Sequence, residues 1–417
     1  MVQKTVLDNG VRLVSQRLPG SFSTTLGVWV QVGSRDETPA QGGVSHFIEH
    51  MAFKGTEQRN ALDIARQIDR LGGMANAFTS REHTCFYARA LPEHLADLSD
   101  LLLDLFLNPA YLAEELERER QVILQEISSQ EDSPEELVHV LCGSHFWPDH
   151  PLGRPILGTA ETVSAMTRED ILGYLKRSYR PHRLVVAAAG QVEHQRLVDL
   201  MAPQLAALAP DPAANGRTAP RANTGWRVVP RDSEQVHVAM AMPGTSAVDQ
   251  DRFAAALLNT VLGGNMSSRL FQEVREKRGL AYSVYSYLSS HYDTGQFGVY
   301  LGVAPERTAE AIKVVRHELQ RLVTQPLSDQ ELSEAQDHLK GSILLSAESP
   351  DARMTRLARN EFYFERAVPL EEVTVRIEQV SVQDISRLAA AKLDADRLAG
   401  VVLGPVDPEA LLPELQR

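Results

Sequence analysis

The chain carries the sequence GVSHFIEHM at residues 43–51, and its apolar residues predict a helix with one buried side. On such a helix His46 and His50 lie one turn apart, with Glu49 between them on the same face. Two imidazoles at this spacing can hold one zinc ion, and a neighbouring carboxylate can take a proton from water at the metal. The alternative is two surface histidines beside an acidic residue, and the rest of the chain argues against it.

A second helical pattern, over residues 111–129, offers a third metal ligand. A catalytic zinc ion held by two histidines needs one more protein ligand and an open fourth position. The candidates are the glutamates of this pattern: Glu114, Glu115, Glu117, Glu119 and Glu126. Glu119 and Glu126 are seven residues apart and therefore lie on nearly one helix face. Spacing alone does not choose among the glutamates.

Composition indicates a folded protein without nucleic-acid or membrane chemistry. The 417 residues suffice for two domains, and 43% of them are hydrophobic. A net charge of −13 argues against a nucleic-acid partner. That charge is compatible with cationic peptide substrates, but most acidic proteins carry such a charge without a cationic partner. No run of 18 apolar residues occurs, so no membrane span is expected.

The sequence also indicates the cellular compartment of the protein. The first residues enter a strand pattern at once, so neither a secretory signal nor a mitochondrial presequence is expected. Cys85 and Cys142 form no Cys-x-x-Cys pair, which indicates buried thiols in a reducing compartment. We therefore expect a cytoplasmic protein.

The two halves of the chain repeat one pattern of strands and helices. A helix–strand unit around Asp170, Leu184 and Gly190 recurs around Asp384, Leu398 and Gly404 at a constant offset of 214 residues. Such an offset indicates a duplicated domain. Residues 257–262, LLNTVL, occupy the position of the motif helix in the second copy, which therefore lacks the metal ligands.

The composition between the halves shifts to Ala, Pro, Asn and Gly, which is typical of a linker. We predict a zinc-binding domain at 1–205, a linker at 206–225 and a homologous domain without metal at 226–417. The predicted fold is α+β, with a mostly antiparallel sheet packed with helices in each domain.

Motif, duplication and length together resemble the pitrilysin/insulysin superfamily of zinc peptidases with an inverted His-x-x-Glu-His motif. The short, mitochondrial-processing-peptidase-like branch is the most similar. The likeness covers essentially the whole chain and is strongest over four stretches: 42–56, 76–84, 119–126 and 275–282. It implies two domains that face each other around a cavity.

The resemblance also implies roles for particular residues. Glu126 lies 76 residues after His50, the separation at which the family has its third ligand, so the implied ligands of one zinc ion per chain are His46, His50 and Glu126. Glu119 matches a family glutamate that supports the ligands or proton traffic; the alternative is a solvated acid.

Two further regions of the resemblance concern the substrate. Asn76, Ala77 and Phe78 match an active-site edge strand with which a peptide can pair; the alternative is an ordinary buried strand. Arg275 and Tyr282 match a family pair in which the Tyr bonds the substrate carbonyl and the Arg orients it. Without the resemblance they would be a surface charge and a core aromatic.

The implied function is that of a bacterial zinc-dependent endopeptidase that cleaves short or unfolded peptides inside a closed cavity, with water activated by zinc and Glu49. A homodimer, or a heterodimer with a silent homologue, is expected. The alternatives are a catalytically silent scaffold or substrate-binding subunit of the same fold, and a metallohydrolase acting on non-peptide substrates.

Two features of the sequence lie outside this pattern. Ser45 stands where relatives often have a small apolar residue, and its hydroxyl is expected to bond back to the helix. His139, Cys142, His145 and His150 lie close together in sequence, but without the spacing of a known metal site, so no second site is predicted.

Overall fold

A computed structural model describes residues 1–210, 216–395 and 397–415 of the chain. The strands of the first half are β1 Val2–Val6, β2 Arg12–Arg17, β3 Thr24–Val30, β4 Met74–Thr79, β5 Thr84–Ala90 and β6 Leu184–Gly190. Those of the second half are β7 Gly225–Pro230, β8 Val236–Pro243, β9 Ala281–Ser290, β10 Gly295–Val303 and β11 Ala399–Gly404.

Helices lie between several of these strands and after the last one. The helices before β7 are α1 Val44–Ala52, α2 Ala61–Arg70, α3 Leu95–Leu107, α4 Ala113–Asp132, α5 Pro134–Phe146, α6 Ala160–Ala165, α7 Arg168–Ser178 and α8 His194–Ala206. The later ones are α9 Arg252–Gly263, α10 Thr308–Thr324, α11 Asp329–Ser346, α12 Pro350–Phe364, α13 Leu370–Glu378, α14 Val382–Lys392 and α15 Pro408–Leu415. A π-helical turn occupies Phe271–Glu276. No helix among the described residues is both long and apolar enough to cross a membrane.

The strands form two sheets with matching order. One sheet has the order β1-β2-β6-β3-β5-β4, and the other has β7-β11-β8-β10-β9. In each sheet one pair is parallel, β2 with β6 and β7 with β11, and the other neighbours are antiparallel. The predicted fold class, α+β with two homologous domains, is confirmed.

The duplicated helix–strand unit keeps its local signals. Thr167 caps α7 and Ser381 caps α14, each accepting a hydrogen bond from the N–H of the aspartate three residues later. The strand that follows ends at a glycine with positive φ in both copies, +120° at Gly190 and +155° at Gly404. Because a Cβ in this conformation is strained, glycine is favoured at both positions.

Contacts between Cα atoms divide the chain into two compact units. Unit 1 is 1–128, 154–217 and 346–367, and unit 2 is 129–153, 218–345 and 368–417. Each unit thus includes one helix from the other half of the sequence: α12 packs on the sheet of unit 1, and α5 packs on the sheet of unit 2. The boundaries 1–205, 206–225 and 226–417 stay a prediction.

Part of the predicted linker is anchored to unit 1. The Arg217 side chain is 9% exposed and forms an ion pair of 2.6 Å with Asp36, and it also donates to the carbonyl oxygens of Gln31 and Glu82. Residues 211–215 of the predicted linker lie outside the described residues. Composition therefore indicates a change in the chain at this point, but it does not reveal this buried ion pair.

Helix α12 meets the sheet of unit 1 through both apolar and polar contacts. Trp29 and Met354 are buried, and Trp29 Nε1 donates to Met354 Sδ at 3.0 Å. Asp351 accepts from Thr25 Oγ1 at 2.5 Å and from Arg89 at 3.0 Å. The sheet is thereby covered on its second face, which explains why every residue of β3 and β6 is buried.

Replacing Met354 by alanine tests this packing. The substitution leaves a cavity against Trp29, so we expect the free energy of unfolding to fall by about 2–5 kcal/mol. Chemical denaturation followed by tryptophan fluorescence measures the change. Met266→Ala is the control, since Met266 is 74% exposed and should change stability by about 0.5 kcal/mol or less. Equal losses in the two variants would contradict the packing described.

Candidate metal centre

The short helix α1 carries the first two candidate ligands. Its apolar residues are buried in the core of unit 1, and His46 and His50 project from another face with their ring centroids 4.5 Å apart. Gly43 precedes the helix with φ of +90°, and a Cβ there would lie 2.5 Å from the carbonyl oxygen of Leu157. Glycine is required at this position both by backbone conformation and by space.

Helix α4 brings a third ligand atom to the two imidazoles. Glu126 Oε2 lies 3.6 Å from His46 Nε2 and 3.6 Å from His50 Nε2. One ligand atom from each of His46, His50 and Glu126 lies within 4.8 Å of the other two. Among the described residues, no other three His, Cys, Asp or Glu side chains come together in this way. The structure therefore brings together the three residues that the family resemblance implied as ligands.

Glu119 approaches His50 from the other side of the imidazole. Its Oε2 lies 3.1 Å from His50 Nδ1, and its Oε1 lies 2.6 Å from Lys54 Nζ. A carboxylate only accepts hydrogen bonds, so in this contact His50 Nδ1–H is the donor. His50 Nε2 then has a free lone pair directed toward Glu126, as metal ligation requires.

The donor set fits a zinc ion. Tetrahedral ligands at about 2.0–2.1 Å from zinc lie about 3.3–3.4 Å from one another, close to the two separations of 3.6 Å. Burial, with a smaller effect of the neighbouring His50, lowers the pKa of His46 to about 4, so its imidazole is neutral at pH 7. Two imidazole nitrogens and one carboxylate oxygen leave a fourth tetrahedral position for water or substrate.

Glu49 lies on the same helix as the two histidines, but one of its carboxyl oxygens has no hydrogen-bond partner within the described part of the chain. The residue is half-buried, and this oxygen is Oε2. Burial raises the pKa of this carboxyl group, and hydrogen bonding from Thr79 on β4 opposes the shift. A carboxylate with a free, poorly solvated oxygen is suited to accept a proton.

Strand β4 lies at the edge of its sheet, and among the described residues it pairs with β5 alone. Asn76 is exposed, Ala77 is buried and Phe78 is half-buried. The N–H of Ala77 donates to Asn76 Oδ1 at 2.8 Å, so this edge donor is covered by a side chain rather than by a strand. An added strand could take that place if the Asn76 side chain turned away.

Arg275 and Tyr282 lie together in unit 2. The Arg275 guanidinium carbon is 4.5 Å from the centroid of the Tyr282 ring, which is a cation–π distance. Tyr282 is 77% exposed at the start of β9, so it is not the core aromatic that sequence alone suggested. The contact holds the ring while leaving its hydroxyl accessible.

Sequence reasoning missed two residues of this region. Lys54, which contacts Glu119, and Glu37, which binds the N-terminus of α1, are single charged residues without a motif of their own. The structure also gives the Ser45 hydroxyl a partner outside its own helix, because it lies 3.0 Å from the hydroxyl of Tyr174 on α7.

The histidine-rich segment of α5 and the turn after it has other contacts. His139 lies 3.0 Å from the Tyr285 hydroxyl, and His145 and His150 contact the carbonyl oxygens of Gly225 and Thr218. Cys142 is a buried free thiol. These contacts are within unit 2 and account for the three histidines without a metal.

The geometry defines a class of protein with a duplicated α+β fold and a His-His-Glu donor set in one copy. Two family models match: "Insulinase (Peptidase family M16)" over residues 12–160 and "Peptidase M16 inactive domain" over residues 165–339. The first range contains His46, His50, Glu119 and Glu126. The second lies largely in the copy that has no His-x-x-Glu-His sequence.

Curated relatives extend over the same length. An "Uncharacterized zinc protease" of Streptomyces coelicolor is 42% identical over 97% of this chain and 90% of its own. The relative named YmxG of Bacillus subtilis, with the same description, is 35% identical over 99% of this chain and 100% of its own. These matches establish that the chain belongs to peptidase family M16, the insulinase family.

Solved structures agree on the fold. The structure titled peptidase M16 inactive domain from Pseudomonas fluorescens gives a TM-score of 0.90 at 23% identity, covering 97% of this chain and 98% of that one. The structure of a protease from Helicobacter pylori gives a TM-score of 0.89 at 22% identity, covering 97% of this chain and 99% of that one. At these identities the likeness concerns the fold alone.

Proposed function

We propose that this chain is a zinc-dependent endopeptidase in which His46, His50 and Glu126 hold one Zn²⁺. The convergence of three ligand atoms beside the free oxygen of Glu49 carries the proposal. The relatives named zinc proteases support it. A silent scaffold subunit would require neither three converging donor side chains nor a carboxyl oxygen without a partner beside them, and both features are found in the described residues.

Bound in this site, Zn²⁺ would supply Lewis-acid chemistry, polarising the scissile carbonyl and lowering the pKa of a water molecule. Glu49 takes a proton from the attacking water and later delivers it to the leaving amine nitrogen. Glu119 holds His50 in the tautomer that ligation needs, and Lys54 holds Glu119.

The proposed substrate is a short or unfolded peptide, including cationic ones. It would pair with β4 at Asn76, Ala77 and Phe78, because that edge is free of another strand. We further propose that the Tyr282 hydroxyl bonds the scissile carbonyl and that Arg275 orients the ring through their 4.5 Å contact. Enclosure of the substrate in a cavity, pairing of two chains and a cytoplasmic location stay predictions.

Glu49→Gln tests the proposed base. The amide cannot accept and return the proton, so hydrolysis of a quenched peptide should fall by about 10²–10⁴-fold. The zinc content should stay near one ion per chain, since Glu49 is not a proposed ligand. Glu57→Gln, at an exposed position, is the matched control. A wild type that binds no zinc would contradict the proposal, as would a Glu49→Gln variant with full activity.

Glu119→Gln tests the contact to His50. The neutral amide loses the ion pair with Lys54, and its NH₂ group can face the His50 N–H donor. We expect zinc affinity to fall by about 10–100-fold, measured by competition with a chromogenic chelator. Glu114→Gln on the same helix is the control, because that side chain is 87% exposed. Equal zinc affinity in the two variants would assign Glu119 no role in ligation.

A further inference from the structure

The N-terminus of α1 has no hydrogen bond to the side chain of its N-cap residue. Its N-cap residue is Gly43, where a Cβ would collide with the Leu157 carbonyl oxygen at 2.5 Å. The first N–H groups of a helix have no partner within the helix, and a Ser, Thr, Asp or Asn at the N-cap usually accepts from them. Gly43 cannot do this, so another group must satisfy these donors.

Glu37 satisfies the donors from six residues upstream. Its Oε2 accepts from the Gly43 N–H at 2.9 Å, and its Oε1 accepts from the Ser45 N–H at 2.9 Å. The residue is 5% exposed, and Arg154 donates to its carbonyl oxygen at 2.5 Å. A buried carboxylate with both oxygens engaged at a helix N-terminus is favoured by hydrogen bonding and by the helix dipole.

The position of this contact matters because His46 directly follows Ser45. The helix has nine residues, so its first turn is a large part of the element that presents both histidines. We propose that Glu37 is a positioning residue for the zinc site: its two oxygens fix the first turn of α1 and thereby the orientation of His46. This inference rests on the proposed function, and it adds a residue outside the His-x-x-Glu-His sequence.

The surroundings of Glu37 make its role sensitive to pH. Burial raises the pKa of Glu37 to about 7, and hydrogen bonds from Ser45 and Gly43 and the charge of Arg154 oppose the rise. The other titratable groups that face it are the hydroxyls of Tyr174 and Tyr179, whose pKa values burial raises further above neutrality. Above pH 7 both carboxylate oxygens accept. Below it one oxygen carries a proton, and the two N–H groups no longer have two free acceptors.

The experiment compares Glu37→Gln with Glu361→Gln in the full chain. Glu361 is a matched control: it is 3% exposed, lies on α12 in the same unit, and its Oε2 is 2.6 Å from Lys4 Nζ. Zinc affinity is measured at pH 8 by competition with a chromogenic chelator. We expect Glu37→Gln to weaken zinc binding by about 10-fold and Glu361→Gln to leave it unchanged. The visible absorption of the Co²⁺-substituted protein should change in the first variant alone.

The pH dependence separates positioning from a general loss of stability. Other effects of pH on zinc binding enter both the wild type and Glu37→Gln, so the ratio of their zinc dissociation constants isolates Glu37. That ratio should approach one below about pH 6, where wild-type Glu37 is also neutral. If Glu37→Gln fails to fold, Glu37→Asp replaces it, with weaker binding expected because the shorter side chain cannot reach both N–H groups.

The outcomes distinguish the two proposals. A wild type that binds zinc, with Glu37→Gln binding equally well or with an equal loss in Glu361→Gln, overturns the inference and leaves the proposed function standing. A ratio that does not change with pH also overturns it. A wild type that binds no zinc overturns both.

Discussion

The geometry of one short helix governs the candidate site. Because α1 is helical, His46 and His50 are four residues apart on one face, and their rings lie side by side without any contribution from loops. The same helix places Glu49 beside them. The position of α1 is fixed by its buried apolar residues, by the contact of Gly43 with Leu157 and by the hydrogen bonds to Glu37. The third donor, Glu126, depends on how α4 packs against this element.

The duplicated architecture shows which features belong to the fold and which to the chemistry. Helix α9 follows β8 and precedes β9 as α1 follows β3 and precedes β4. In α9 the corresponding stretch contains Leu257 and Leu258, both fully buried. The described residues of the second unit therefore form its helix and sheet without a metal donor set, and the fold is stabilised by apolar packing. The donors of the first unit are an addition to a scaffold that does not need them.

Local signals predicted the elements well, and tertiary contacts explain what they could not predict. Helix α7, Arg168–Ser178, begins at a signal that is local in sequence, the capping box formed by Thr167 and Asp170. An amphipathic pattern does not say which sheet a helix will cover, so the packing of α5 on the sheet of unit 2 could not be predicted. Helical spacing also does not say which glutamate of α4 faces the two histidines. The family resemblance supplied the choice of Glu126. Glu37 and Lys54 act through residues distant in sequence, so no local pattern indicated them.

The central claim is that two imidazoles of α1 and one carboxylate of α4 hold a zinc ion, and X-ray absorption at the zinc edge tests it most directly. The account predicts four light-atom ligands at about 2.0–2.2 Å, with outer-shell scattering from two imidazole rings. Replacing Glu126 by alanine should remove one oxygen ligand or abolish binding. Sulfur scattering at about 2.3 Å, a single imidazole, or a spectrum unchanged by the Glu126 substitution would contradict the account.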